Sequence, residues 1–258
     1  MSERSERTMV TARASVVRAD NPGIMTLDGT NTWILREPGA ERSVVVDPGP
    51  ADEQHLAAVL EAAGEVGLVL YTHHHGDHTE AFDRMRELTG APARAIGEQF
   101  CSDAEPITDM EVIEVDGLRI EAVATPGHTT DSLCLALPAE GSLLSGDTIL
   151  GRGTTVVAWP DGALGPYLDS LARLREMTEE GLVRRILPGH GAVIEDPAAV
   201  LDFYIVHRQE RLDQVRAALD EGDTTAREVV ERVYADVDPV LWPAAERSVE
   251  AQLAYLRD

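Results

Sequence analysis

Short apolar runs, most of them closed by glycine, proline or aspartate, recur along the chain as far as residue 187. They predict buried strands over 14–18, 32–35, 43–46, 66–71, 93–96, 111–115, 118–124, 132–137, 142–145 and 182–187. Helical spacing predicts helices over 52–63, 79–89 and 166–178, the last repeating Leu168, Leu171 and Leu174 on one face. Asn21-Pro22-Gly23 and Asp28-Gly29 mark turns, because proline presets φ and glycine accepts positive φ. Two groups of strands with helices between and after them predict an α/β fold in which sheets pack together and helices cover the outside. The pattern changes at Asp196-Pro197, an N-cap acid followed by proline at the first helical position. A long helix to about 219 follows, with Leu201, Ile205, Leu212, Val215 and Leu219 on its apolar side, then helices over 224–235 and 240–256. The expected domains are residues 1–196 and an all-helical 197–258, with polar residues 1–12 frayed.

The densest chemistry follows the 66–71 strand directly, in Tyr71-Thr72-His73-His74-His75-Gly76-Asp77-His78-Thr79. Side chains of an extended segment alternate faces. That places His73, His75 and Asp77 on one side, His74 opposite in a structural role, and His78 at a turn. Imidazoles and a carboxylate converging at a strand end suit a metal site; the rival reading is a solvated histidine-rich loop. Three later strand ends each carry a metal-capable side chain beside glycine: Pro126-Gly127-His128, Gly146-Asp147-Thr148 and Pro188-Gly189-His190. Singly they read as turns or helix starts. Together with the cluster they complete two ligand sets, His73, His75 and His128 for one ion, and Asp77, His78 and His190 for the other. Asp147 would bridge both. Room for a solvent molecule between the ions marks a catalytic rather than a structural site, since a metal lowers the pKa of bound water from 15.7 to about 7. Two divalent ions are expected, zinc first, with manganese or iron compatible.

Composition narrows the function. The 258 residues carry a net charge of −24 and no lysine, all 22 basic residues being arginine. Lysine-dependent chemistry, the P-loop and Schiff-base catalysis, is therefore excluded. The acidic balance opposes non-specific nucleic-acid binding, which needs phosphates neutralised. Cys101 and Cys134 make no disulfide framework, and Cys134 reads as a core residue. No run approaches the ~20 apolar residues of a membrane span, and the start lacks a secretory apolar region, so a cytoplasmic location is expected.

The His73-x-His75-x-Asp77-His78 motif, followed by His128, Asp147 and His190, resembles the metallo-β-lactamase superfamily of binuclear hydrolases over roughly residues 13–195. The resemblance implies an αββα sandwich with the metals at one edge and the two ligand sets above. Asn21-Pro22-Gly23, Gly29-Thr30-Asn31-Thr32, Asp47-Pro48-Gly49, Gly146-Asp147-Thr148-Ile149-Leu150-Gly151 and the helical tail resemble the branch with a C-terminal winged-helix-like segment. The mitochondrial single-strand endoribonuclease and fungal thioesterases of polyketide assembly look related. Ser132 departs from the histidine expected of the ribonuclease, and with the sequence stopping at Asp258 a full β-wing after the last helix is not expected. The resemblance also suggests that Asp47 orients metal histidines; the rival is a plain turn residue.

The expected function is a binuclear metal-dependent hydrolase acting on a small carbonyl substrate (ester, thioester, lactone or lactam) through a metal-bridging hydroxide. Asp77 is the candidate catalytic residue, orienting that hydroxide and moving a proton. The alternatives are a single-stranded RNA phosphodiesterase and a non-hydrolytic iron redox or binding protein. Thr30, Asn31 and Thr32 are read either as lining the substrate mouth or as a hairpin turn, and His207, Arg208 and Arg211 as a solvated face or an anion contact. The helical tail is a candidate homodimer interface.

Overall fold

A computed structural model describes residues 7–257. Within the segment expected to fray, residues 1–6 lie outside the described residues, and Thr8–Met9 forms a short strand, β1, antiparallel to β2 (Ala14–Arg18). The first sheet continues through β3 (Asn31–Leu35), β4 (Arg42–Val46), β5 (Glu65–Leu70) and β6 (Ala93–Arg94), in order β1-β2-β3-β4-β5-β6. Helix α1 (Glu53–Ala63) joins β4 to its parallel neighbour β5, and the Asp52 side chain caps it by accepting the His55 N–H. The short α2 (Gly76–Thr79) and then α3 (Phe82–Thr89) lead from β5 to β6. The second sheet runs β11-β10-β9-β8-β7, from β7 (Val112–Val115), β8 (Leu118–Ala124), β9 (Leu133–Leu137), β10 (Ser142–Gly146) and β11 (Arg185–Pro188). Helix α4 (Leu164–Glu179) joins β10 to its parallel neighbour β11.

Strand alternation sorts these side chains into layers. Trp33, Leu35, Val44, Val46, Leu68 and Leu70 from the first sheet meet Leu118, Ile120, Leu133, Leu135 and Leu187 from the second in one buried core. The intervening positions Ile34, Val45 and Val69 face Leu56, Val59 and Met85 of the helices outside. On the other side Cys134, Leu143 and Ile186 face Tyr167, Leu171 and Leu174. The result is an αββα sandwich. Cys134 is fully buried, and burial raises its thiol pKa to about 11, as a core residue requires.

The tail comprises α5 (Pro197–Asp220), α6 (Ala226–Val233) and α7 (Trp242–Arg257), preceded by a 3₁₀ turn at Pro239–Leu241. Thr225 and Glu228 form a reciprocal capping box at α6. Helix α5 serves two cores: Leu201, Tyr204 and Leu212 pack with α4 and the second sheet, while Val215 and Ala218 pack with Val229, Val230, Val249 and Leu253. Burying a leucine or valine side chain contributes roughly 1.5–3 kcal/mol, so cutting the chain at 196 would strip stabilisation from the sandwich too. No helix among the described residues is long and apolar enough to cross a membrane.

The region predicted as one helix over 79–89 is divided. After His75 (φ −61°, ψ 142°) the backbone turns helical, and the Thr79 and Glu80 N–H groups donate to the His75 and Gly76 carbonyls. Asp77 and His78 therefore sit on a helical turn. The alternation that would have put Asp77 beside His73 and His75 ends at His75.

Candidate metal centre

Every predicted ligand lies at one edge of the sandwich, where strands run out into loops: His73, His75, Asp77 and His78 after β5, His128 after β8, Asp147 after β10 and His190 after β11. His73 Nε2 and His128 Nε2 each stand 3.1 Å from His75 Nδ1. A second triad faces them, with His78 Nε2 3.2 Å from His190 Nε2, and Asp77 Oδ2 3.1 Å from His190 Nε2 and 3.4 Å from His78 Nε2. Zinc held tetrahedrally at 2.0–2.1 Å separates its donor atoms by roughly 3.3 Å, so both triads match one ion each. Asp147 lies between them, Oδ1 3.5 Å from His78 Nε2 and Oδ2 3.3 Å from His190 Nε2 and 3.9 Å from His128 Nε2.

The outer nitrogens assign the tautomers. His78 Nδ1–H donates to Asp47 Oδ2 (2.9 Å), His128 Nδ1–H to the Val156 carbonyl (2.8 Å) and His190 Nδ1–H to the Gly29 carbonyl (3.1 Å). The Thr72 hydroxyl donates to Asp47 Oδ2 (2.7 Å) and so accepts from His73 Nδ1–H (3.0 Å). Four imidazoles are thereby oriented with Nε2 facing inward, the arrangement a metal needs from histidine. Asp147 Oδ1 is buried without a hydrogen-bond partner. A buried carboxylate oxygen left so is costly unless a cation meets it, so the residues present fit the expected ions.

Charge is unevenly distributed across the two triads. Burial holds His73 well below the usual imidazole range, His75 down to about 4, and His128 lowered as well. Burial lowers His78 and His190 too, but carboxylates outweigh it, Asp147 and Asp47 lifting His78 well above its usual value and Asp147 and Asp77 lifting His190 to about 9. Burial raises Asp77 and Asp147, yet the hydrogen bond from His190 and the charge of His78 carry Asp77 down to about 2, and His78 and His190 hold Asp147 well below the carboxylate range. This end of the site calls for positive charge, which protons or a divalent cation would provide.

Asp47 is more than a turn residue. It sits at φ 51°, and its carboxylate accepts the Thr72 N–H (2.8 Å), the Thr72 hydroxyl and His78 Nδ1–H. Such partners change metal affinity by 10–100-fold, so Asp47→Asn is expected to weaken zinc binding about tenfold or more, checked by competition with a chromogenic chelator. His74 stays out of both triads, held by Asp131 (2.8 Å). Thr30 is fully buried and donates to Asp77 Oδ2 (3.0 Å), while Asn31 donates to the Pro188 and Gly191 carbonyls, so neither lines a mouth.

Sequence reasoning missed two groups. Beside His128 and Asp147 opens a cleft whose apolar wall is Ile24, Met25, Leu27, Leu150 and Val156. Exposed apolar residues inside the polar turn 20–30 were the available signal. Arg208, read as solvated or anion-facing, is buried and donates to the Thr155 carbonyl, while Arg211 lies over the Tyr234 ring.

Residues 25–190 match the Metallo-beta-lactamase superfamily, and residues 225–258 the Beta-lactamase associated winged helix domain. The chain belongs to the metallo-β-lactamase superfamily and carries the C-terminal winged-helix domain associated with it. The Beta-lactamase-like protein 2 homolog of Drosophila melanogaster is 32% identical, the match covering 96% of this chain and 89% of that one. Lactamase-like protein aptB of Emericella nidulans is also 32% identical, over 93% of this chain and 83% of that protein. A beta-lactamase domain protein from Burkholderia ambifaria shares the fold, with a TM-score of 0.84 at 21% identity over 98% of this chain and 88% of that one. A metallo-beta-lactamase family protein from Thermus thermophilus gives a TM-score of 0.72 at 25% identity, over 95% of this chain and 93% of that one.

Proposed function

We propose that the chain is a binuclear metal-dependent hydrolase of a small carbonyl substrate, an ester, thioester, lactone or lactam. The observation that carries this reading is the pair of facing donor triads with the buried Asp147 carboxylate between them, its Oδ1 in no hydrogen bond. His73, His75 and His128 would hold one ion, Asp77, His78 and His190 the other, and Asp147 would serve both. Bound there, zinc, or else manganese or iron, supplies Lewis acidity and a hydroxide nucleophile at neutral pH. Asp77 is the proposed catalytic residue. Thr30 and His190 fix its carboxylate, which stays partly exposed and is placed to orient a water molecule and take up its proton.

The cleft supports a small substrate with an apolar group. The one cationic side chain in its lining, Arg152, is paired with Asp28 at 2.5 Å. With a net charge of −24 this disfavours a polyanionic substrate. Met25→Asp is expected to raise KM for an apolar ester about tenfold while leaving kcat nearly unchanged, because it removes binding without touching the ligands. A panel of thioester, lactone, lactam and labelled single-stranded RNA, run on metal-loaded protein at physiological salt, tests the function. Metal-dependent turnover of a carbonyl substrate supports it. Cleavage of RNA alone, or visible iron absorption with no turnover, contradicts it.

A further inference from the structure

We propose that Arg208, assisted by Tyr204, is a positioning residue that reaches from α5 to hold the segment 147–156 against the metal centre. That segment has neither helix nor strand; the Thr148 and Gly151 N–H groups donate to the Ser145 and His190 carbonyls, and its other bonded backbone groups rely on side chains. It begins with Asp147 and ends with Val156, whose carbonyl orients His128. Between them Tyr204 Oη accepts the Leu150 N–H (2.9 Å), Tyr167 Oη donates to the Thr148 carbonyl (2.7 Å), and Thr155 Oγ1 donates to the Asp147 carbonyl (2.7 Å). Arg208 completes the set, donating through Nη2 to the Thr155 carbonyl with its guanidinium 5.0 Å from the centre of the Tyr167 ring.

Arg208 shares the buried stripe of α5 with Leu201, Tyr204, Leu212 and Val215. A leucine or methionine would fill that register without desolvating a charge, and replacing buried charges with apolar residues is often neutral or stabilising. Here the guanidinium meets a carbonyl and an aromatic face instead of a carboxylate. Reach to Thr155 is what an apolar residue could not provide. Helix α5 lies between the two stretches that match known domains. The strut couples it to two groups that the metal centre needs, the Asp147 carboxylate and the His128 ring. Its effect on metal rests on the functional reading above; its hold on the segment does not.

Trypsin reads that hold directly. The chain has no lysine, and Arg152 lies inside the segment with its side chain 56% exposed. In full-length protein, cleavage after Arg152, identified by the masses of fragments 1–152 and 153–258, is expected to rise at least about tenfold in Arg208→Met relative to cleavage elsewhere. Tyr204→Phe, which removes one hydroxyl, should give a smaller rise at the same bond, and Arg208→Lys should restore part of the protection. Cobalt(II) affinity should fall about 10–100-fold in Arg208→Met, as when a group orienting a ligand is removed. An equal rise at every arginine, or unchanged cleavage in both Arg208→Met and Tyr204→Phe, overturns the inference. Cobalt bound equally by wild type and Arg208→Met overturns it as well. Selective cleavage at Arg152 supports the strut even if wild type takes up no cobalt, a result that would count against the metal reading alone.

Discussion

Changing His73 and His75 together to alanine is expected to empty the first triad, cutting metal content to about one ion per chain, and to abolish turnover while leaving the fold intact. The pair supplies His73 Nε2 and His75 Nδ1, two of the three donors in the first triad, and the remaining His128 Nε2 cannot hold an ion alone. A Lewis acid contributes several kcal/mol to such a reaction, so its loss corresponds to a rate fall of roughly a thousandfold or more. Neither side chain belongs to the apolar cores that join the sheets and helices. Near-ultraviolet circular dichroism should therefore remain native-like. Full activity in the double variant would remove these histidines from the reaction.

Gly189→Ala is expected to have an effect of similar kind with every ligand retained. A Cβ at this position would stand 2.5 Å from Asp147 Oδ1 and 2.8 Å from His78 Cε1. The obstruction falls between the Asp147 carboxylate and a histidine of the second triad, so one of them must move. Displacement of about 1 Å at a reacting centre can cost about a hundredfold in rate. The glycine backbone here is not left-handed, so alanine brings no conformational strain of its own and thermal stability should change little. Zinc titration and turnover measured together check this; wild-type affinity and rate would show that the site tolerates the methyl group.

Most of the sandwich was legible because alternation is a local property. Val44, Val45 and Val46 read as a buried strand, and the structure sends the outer two into the core between the sheets and the middle one to the helices. The candidate ligands were legible because histidine or aspartate recurs beside glycine at successive strand ends. What stayed hidden depends on distant partners or on a local change of backbone. The turn at Gly76 moves Asp77 out of the extended register. For Asp47 the resemblance alone suggested an orienting role, because its partners Thr72 and His78 reach it only when β4 and β5 lie side by side. Arg208 was misread because charge suggests solvent, although its spacing of four from both Tyr204 and Leu212 placed it on the buried stripe. The cleft wall joins residues 24–27 to residues 150–156, a pairing that no local pattern encodes.

The central claim is that the two triads hold metal. Elemental analysis of untagged protein, purified without chelator, tests it most directly. The expected result is about two zinc or manganese ions per chain, as one per triad requires. Fewer than about half an ion per chain, with no uptake when metal is added back, would contradict the account, because donors spaced and oriented for cations would then hold none.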